Sequence, residues 1–216
     1  MAEEKYEIHL FCTDGQWRGT IDGPKGTSAF LGIGDLLEQL NIDSTSQLSH
    51  LRRLAQTDPL TGLLNRRGLE EEVEKAQAKG IRHMALLLLD IDDLKQINDT
   101  WGHRMGDVAL CKVAEILKQA SNSESLVGRI GGDEFVVVYW GLVDEIDLQE
   151  KGEQICQMVA RLKSEIGLSV SIGASYGHEY KELLEQADVA LYRVKRSGKR
   201  GVCLDRVLNQ SRMENI

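Results

Sequence analysis

An acidic segment that follows an apolar run could hold a metal ion. Asp90 comes directly after the apolar residues 86–89. A buried strand that ends in an acid places the carboxylate at the edge of a sheet, and Mg²⁺ prefers carboxylate oxygens combined with substrate phosphates. Asp90 is therefore a candidate magnesium ligand, and the backbone carbonyl of Ile91 is a second one. Asp92 and Asp93 are assigned mainly to capping the next helix, which requires no metal.

A second acidic segment has two glycines in front of it. Gly131 and Gly132 precede Asp133 and Glu134, and the apolar residues 135–138 follow. Two glycines at the tip of a hairpin permit positive φ and let the backbone approach a ligand with no side chain between them. Taken alone, the segment is equally compatible with an ordinary Gly-Gly turn that carries solvated acids.

The composition of the chain narrows the classes of ligand that these acidic segments could help to bind. The 216 residues are 42% hydrophobic and 28% charged, with a net charge of −8. These values are typical of a soluble globular protein without a general basic field for nucleic acid. A phosphate-bearing ligand would need a local group of lysines or a metal ion. The four cysteines form no CxxC pair, so neither a disulfide framework nor a zinc site is expected.

The sequence shows no sign of a membrane segment. Its longest strongly apolar run, residues 84–89, is far shorter than the roughly 20 residues that span a bilayer. Residues 1–10 carry several acids where a signal peptide would need a basic start and an apolar centre. We therefore expect a cytoplasmic protein without a membrane span.

Alternating strands and helices from Asp58 onward must position the acidic segments. The predicted strands are 84–91, 125–130, 134–140, 168–175 and 201–204, and the predicted helices are 68–79, 92–98, 106–120, 147–165 and 181–196. A glycine-containing loop is expected over 98–105. The pattern predicts an α/β (α+β) fold with one central mixed or antiparallel sheet covered by helices.

The first 57 residues are expected to lie outside this fold. Residues 6–12 and 16–21 predict a hairpin, 23–26 breaks the chain, and 33–40 predicts a short amphipathic helix. Residues 1–43 are too few for a robust core, so we interpret them as an appendage or the remnant of a sensor. Residues 44–57 predict a linker helix that either pairs with its copy in a dimer or packs on its own domain.

Six ordered segments together resemble the GGDEF domain of bacterial diguanylate cyclases. The resemblance covers roughly residues 58–204, which define a catalytic domain over 58–208 followed by a tail over 209–216. The matching segments are Asp58–Arg67, Asp90–Asp99, Gly102–Asp107, Gly131–Phe135, Ser171–Gly173 and Ala187–Lys199. Six segments in the right order are far more specific than the pentapeptide alone. The resemblance implies a fold similar to the palm of nucleotidyl cyclases and polymerases.

The resemblance also implies a metal site. Asp90 and Asp133 would supply carboxylates to two Mg²⁺ ions, or to Mn²⁺ in their place, and the carbonyl of Ile91 would assist. Glu134 would either help to activate the attacking ribose hydroxyl or support metal binding. Asp133, Glu134 and Lys95 form the implied catalytic set.

Substrate binding is implied for seven residues: Asn98, Asp107, Lys95, Lys195, Lys199, Gly131 and Gly132. Asn98 and Asp107 would recognise guanine, since a carboxylate accepts the donors on N1 and N2 of that base. The alternative is that both only cap the loop and the next helix. The lysines would hold the triphosphate. If the helix continues far enough, the i,i+4 spacing of Lys195 and Lys199 places both ammonium groups on one side. Their alternative role is a solvated basic helix end.

The implied function is the condensation of two GTP into cyclic di-GMP with release of pyrophosphate, by a two-fold dimer, in bacterial second-messenger signalling. The alternatives are a non-catalytic module that binds GTP or cyclic di-GMP or only dimerises, and a cyclase that makes an adenine-containing dinucleotide. Intact Asp90, Lys95, Asp133 and Glu134 favour the enzyme over the module. Asp107 disfavours adenine, because a carboxylate repels its N1 acceptor.

Several positions depart from the family pattern. Leu94 stands where Phe is frequent, Lys199 where Arg is usual, and Arg200 where Asn is common. Many members bind their product through an Arg-x-x-Asp segment that ends six residues before the first motif glycine. The corresponding residues are Asn122-Ser123-Glu124-Ser125. The product-inhibition site is therefore expected to be absent.

Overall fold

A computed structural model of the chain describes residues 7–13, 16–23, 26–31, 55–122, 125–141, 144–162 and 167–205. The chain divides into two compact units, Met1–Ala55 and Gln56–Ile216. The predicted helix over 33–40, most of the linker helix over 44–57 and the tail over 209–216 lie outside the described residues. Within the described ranges, no helix has both the length and the apolar character needed to cross a bilayer.

The first unit contains an antiparallel meander. Its strands are β1 (Glu7–Thr13), β2 (Gln16–Gly23) and β3 (Gly26–Leu31). The predicted hairpin is present, and residues 23–26 end β2 as expected. The same segment then returns the chain into β3, which the sequence did not predict. Gly23 pairs with Gly26, whose φ of 108° lies in the region that favours glycine.

The second unit is one mixed sheet flanked by helices, which confirms the predicted fold class. Its described strands are β4 (Leu64–Asn65), β5 (Met84–Ile91), β6 (Ser125–Arg129), β7 (Glu134–Trp140), β8 (Val170–Gly177) and β9 (Val202–Leu204). They lie in the order β4-β6-β7-β5-β8-β9, and only the outer pairs, β4 with β6 and β8 with β9, are parallel. The helices are α1 (Arg66–Ala78), α2 (Leu94–Trp101), α3 (His103–Ala120), α4 (Glu145–Ala160) and α5 (Tyr180–Arg196).

Strand β5 is buried on both faces, as its unbroken apolar run predicted. Leu87 and Leu89 belong to the core that α2, α3 and α4 cover. Leu86 and Leu88 belong to the core that α1 and α5 cover. Burying every residue of β5 holds its carboxyl end, where the acids lie, between two packed layers.

The connection between α2 and α3 is shorter than predicted. The sequence suggested a loop over 98–105, whereas α2 continues to Trp101 and α3 starts at His103. Gly102 alone joins them, with φ of 81°. A single residue can reverse the chain there because glycine adopts positive φ without steric cost.

Gly173 allows α5 to pack directly on β8. A Cβ atom at this position would overlap with the carbonyl oxygen of Ala187 and the amide nitrogen of Leu191. Both atoms belong to the backbone of α5 and cannot move aside as a flexible side chain could. This close approach sets the position of the helix that carries Lys195.

Candidate active site

The two acidic segments meet where β5 and β7 lie side by side. Asp90 is paired with Glu134 across the antiparallel strands, so their side chains share one face of the sheet. The amide of Ile91 donates to the carbonyl oxygen of Asp133 at 3.3 Å. The structure therefore brings together the residues that the sequence assigned to a metal site.

Asp90 is the most perturbed carboxyl group of the site. Burial raises its pKa to about 6, the negative charges of Asp133 and Asp92 act in the same direction, and Lys195 opposes the shift. The ammonium group of Lys195 lies 2.7 Å from Asp90 Oδ2. A buried carboxylate beside two other acids has a strong need for a cation. In the ligand-free chain, Lys195 provides that positive charge.

The donor set fits Mg²⁺. Asp90, Asp133 and the carbonyl of Ile91 offer oxygen atoms only, which hard cations prefer over nitrogen or sulfur. Over the described ranges, no group of three or more His, Cys, Asp or Glu side chains is placed to hold a metal ion. Two carboxylates and a carbonyl leave coordination positions to water and phosphate, as is usual for Mg²⁺.

The two hairpin glycines do not use the positive φ that glycine permits, and only Gly131 is needed for space. Neither Gly131 nor Gly132 is among the residues with positive φ. A Cβ atom at Gly131 would meet the carboxylate of Glu134, whereas one at Gly132 would meet no atom within 4 Å. Gly131 thus lets the Glu134 side chain fold back over the turn, and Gly132 leaves an open surface beside the acids.

Arg129 holds the hairpin in place, a role that the sequence analysis did not assign. Its Nη2 atom donates to the carbonyl oxygen of Gly132 at 2.7 Å. Its Nη1 atom forms an ion pair with Asp58. The sequence offered no signal for this contact, because Asp58 and Arg129 are 71 positions apart.

Asp92 has a different role from the predicted helix cap. Its buried carboxylate accepts hydrogen bonds from the hydroxyl groups of Ser169 and Ser171, both at 2.7 Å. Asp93 does occupy the cap position of α2, yet its side chain makes no capping hydrogen bond. The capping assignment is therefore wrong for Asp92. For Asp93 the predicted position at the start of α2 is right, but its side chain does not cap the helix.

The three lysines assigned to the triphosphate lie on separate parts of the site. Lys95 is exposed in the first turn of α2. Lys195 is in the last turn of α5, which ends at Arg196. Lys199 lies beyond the helix with φ of 66°, so the condition for a shared helix face is not met. Lys199 instead forms an ion pair with Asp93, 2.6 Å away.

The residues assigned to guanine lie within helices and are not caps. Asn98 is in α2, and Asp107 is exposed in α3. Gly106 makes room for the Asn98 side chain, since a Cβ atom at Gly106 would overlap with Asn98 Oδ1. That oxygen is buried and has no hydrogen-bond partner within the described part of the chain. A buried acceptor without a partner is costly, and a ligand donor would relieve that cost.

Comparison with known proteins points to one family. The family model "Diguanylate cyclase, GGDEF domain" matches residues 55–201. Similar proteins include the bifunctional diguanylate cyclase/cyclic di-GMP phosphodiesterase MucR of Pseudomonas aeruginosa, 36% identical over 163 residues. Another is the diguanylate cyclase DosC of Escherichia coli K12, 39% identical over 158 residues. The matches cover 71% and 67% of this chain, but only 24% and 34% of those relatives.

Solved structures show the same likeness. The coiled coil and GGDEF domain of DgcB from Caulobacter crescentus, in complex with c-di-GMP, matches with a TM-score of 0.68 at 30% identity. The match covers 78% of this chain and 93% of that one. The diguanylate cyclase SiaD of Pseudomonas aeruginosa, in complex with its activator SiaC, matches with a TM-score of 0.63 at 31% identity, covering 80% and 69%.

Proposed function

Because this chain belongs to the diguanylate cyclase family defined by the GGDEF domain, we propose that it condenses two GTP molecules into cyclic di-GMP. In each half-reaction a ribose 3′-oxygen forms a bond to the α-phosphorus of the other nucleotide. The bond between the α- and β-phosphates breaks, and pyrophosphate leaves. The observation that carries this proposal is the buried Asp90 carboxylate, paired with Glu134 across the strands and compensated by Lys195.

Asp90, Asp133 and the Ile91 carbonyl would hold Mg²⁺, with Mn²⁺ as the alternative. The bound metal would neutralise phosphate charge and lower the pKa of the 3′-hydroxyl. Glu134, which lies directly opposite Asp90, would either accept the proton of that hydroxyl or support the metal.

The lysines would bind the triphosphate. When a metal ion binds the Asp90 carboxylate, Lys195 would leave Asp90 and pair with a phosphate instead. Each charged group would then keep a partner of opposite charge. Lys95, exposed on α2, would contact the same phosphates from the other side. Gly132 would let the phosphates approach the hairpin backbone, since no side chain covers it.

Asn98 and Asp107 would select guanine. Asn98 Oδ1 has no hydrogen-bond partner in the described part of the chain and would accept a hydrogen bond from the base. The exposed carboxylate of Asp107 would accept hydrogen bonds from the N1 and N2 donors of guanine. An adenine-containing product is disfavoured for the same reason. Asp107→Ser is expected to weaken discrimination between GTP and ATP more than it weakens the fold.

Catalysis would require two copies of the domain. Each copy offers one set of metal and base ligands, whereas the reaction joins two nucleotides in a symmetric ring. A two-fold dimer that places two such sites face to face satisfies this requirement, and two-fold dimers are the most frequent oligomers.

Incubation with GTP and Mg²⁺, followed by mass spectrometry of the product, tests the proposal. We expect cyclic di-GMP and pyrophosphate from the unaltered chain, and no turnover from Asp90→Ala or Asp133→Ala. Asp99→Asn, which removes an exposed acid of α2, is the matched control and should keep its activity. Near-native pyrophosphate release by either alanine variant would refute the metal assignment. Binding of GTP without any product would favour a receptor module.

A further inference from the structure

Asp93 forms an ion pair with Lys199, one of the lysines that the proposed function assigns to the triphosphate. Asp93 Oδ1 lies 2.6 Å from Lys199 Nζ. The hydrogen bond to Asp93 raises the pKa of Lys199 above its ordinary value, although partial burial opposes the shift. Lys199 is thus fully charged near neutral pH but already has a carboxylate as its partner.

The backbone fixes both ends of this pair. Asp93, Lys199 and Arg200 are the non-glycine residues with positive φ in the described part of the chain, at 57°, 66° and 61°. That conformation costs a non-glycine residue energy, and a structure retains it where other contacts determine it. The amide of Arg200 donates to Ser171 Oγ at 3.3 Å, and Ser171 in turn donates to Asp92. The loops 92–93 and 197–200 are therefore joined at two points.

The Asp93 side chain does not cap the helix that it precedes. It lies at the cap position of α2, yet the first-turn amides receive no hydrogen bond from its side chain. Those amides and Lys95 form a positive region in which a phosphate chain would be stabilised. A carboxylate in the same place repels that chain.

The structure also has room for Asp93 to leave Lys199. A cavity of about 230 Å³ lies beside α2 and is lined by Asp92, Asp93, Gln96, Thr100 and Arg200, among others. At 3.6 residues per turn, Gln96 and Thr100 lie on the side of α2 opposite Asn98. These two residues face away from Asn98, and the cavity gives the Asp93 side chain open space into which it can turn.

We propose that Asp93 is an internal competitor of the nucleotide triphosphate: its carboxylate holds Lys199 in the free chain and is displaced when phosphate binds. This inference rests on the proposed function, in which Lys199 is a phosphate ligand. Asp93 then lowers the affinity for the triphosphate and favours release of the pyrophosphate product. Asp93 is a positioning residue that acts through Lys199 and needs no contact with the reacting atoms.

Calorimetric titration with a non-hydrolysable GTP analogue and Mg²⁺ tests this inference. Asp93→Asn should tighten binding by about threefold or more, the effect of losing one exposed ion pair together with its repulsion of phosphate. Asp99→Asn removes the same charge from the same helix and should change affinity by less than about twofold. In a Lys199→Met background, Asp93→Asn should tighten binding by a clearly smaller factor, because the ion pair is already absent and only the repulsion of phosphate by Asp93 is left to remove. Unchanged or weaker binding by Asp93→Asn, or equal gains from Asp93→Asn and Asp99→Asn, would overturn the proposal.

Inorganic tripolyphosphate separates this inference from the proposed function, because it carries the phosphates without the base. Tighter tripolyphosphate binding by Asp93→Asn, with no preference for a GTP over an ATP analogue, would support the inference and count against guanine recognition. Binding of the GTP analogue that Asp93→Asn leaves unchanged would overturn the inference and leave the proposed function standing. No binding of either ligand to any variant would overturn both.

Discussion

Arg129 and Asp58 form a half-buried ion pair that ties the Gly131–Glu134 hairpin to the start of the domain. Arg129 Nη1 lies 3.1 Å and 3.2 Å from the two carboxylate oxygens of Asp58, and the same guanidinium donates to the carbonyl of Gly132. Burial alone would raise the pKa of Asp58, but hydrogen bonds from Thr61 and Arg129 outweigh it and lower the pKa. One side chain thereby couples two segments far apart in the sequence.

Loss of Arg129 should destabilise the fold and displace the hairpin. We expect Arg129→Met to lower the free energy of unfolding by about 2 kcal/mol, because Asp58 would keep its charge at a site with little solvent. Urea denaturation measures this loss. Arg67→Met, which breaks an exposed pair with Glu71, is the matched control and should cost less than about 1 kcal/mol. Equal losses in both variants would contradict the coupling.

The Arg129 effect should depend on pH in a defined direction. Since the pKa of Asp58 is lower in the folded chain than the ordinary 3.8, its stabilising contribution is present above pH 3.8. The contribution is lost as the pH falls through the folded-state value. The difference between the unaltered chain and Arg129→Met should therefore be larger at pH 7 than at pH 3. If the difference in unfolding free energy between the two proteins grew on acidification, the charge of Asp58 could not be its cause.

Asp90→Asn should stabilise the metal-free chain while it abolishes turnover. The folded-state pKa of Asp90 is about 6 against an ordinary 3.8, so the folded chain binds more protons between these values and loses stability as pH rises through this window. Asparagine resembles the neutral acid and avoids the cost of burying a charge. We expect a gain of about 1–3 kcal/mol at pH 8 that disappears towards pH 4.

Urea denaturation at pH 8 and pH 4, without divalent cations, checks the Asp90 prediction. Asp99→Asn serves again as the control and should leave stability nearly unchanged at both values. A less stable Asp90→Asn variant at pH 8 would mean that the hydrogen bond from Lys195 outweighs the burial of Asp90.

Gly106→Ala should impair guanine recognition without unfolding the domain. In the interior of a helix, alanine is more favourable than glycine by about 1 kcal/mol, so the substitution should not unfold α3. The added Cβ atom would, however, displace the side-chain amide of Asn98. We expect at least about tenfold weaker binding of a GTP analogue, with tripolyphosphate affinity unchanged. Calorimetry on both ligands provides the measurement. An equal loss of affinity for the two ligands would mean that Asn98 supports the fold and does not recognise the base.

High-affinity binding of the product outside the active site should be absent. Asn122 and Ser125 stand where the family's Arg and Asp would be, and they bond to each other: Ser125 Oγ donates to the carbonyl of Asn122 at 2.8 Å. Neither offers the guanidinium fork that clasps phosphate. Titration of cyclic di-GMP, with the active site filled by a GTP analogue, should show no submicromolar site. Submicromolar binding that Asn122→Ala weakens would contradict this expectation.

The sequence predicted the elements that depend on local pattern. Strands β5 and β7 have the expected bounds, since a continuous apolar run with acids at one end identifies a central strand. The loop between α2 and α3 was overestimated, because nothing local shows that Gly102 alone can reverse the chain. The partners of Asp92 and Lys199 were missed for a different reason. Ser169 and Asp93 reach them only after the sheet has formed, and a linear sequence does not show such contacts.

The burial of β5 determines the order in which parts of the candidate site open when the protein is heated or exposed to denaturant. Every residue of this strand is enclosed between two cores, so the amide hydrogens of residues 86–90 should exchange with solvent only when the whole domain opens. The Lys199 segment lies outside the regular elements and should exchange through small local openings. Mild heating or denaturant should then release the Lys199 segment first, whereas the Asp90 carboxylate at the end of β5 should stay enclosed until the domain unfolds cooperatively.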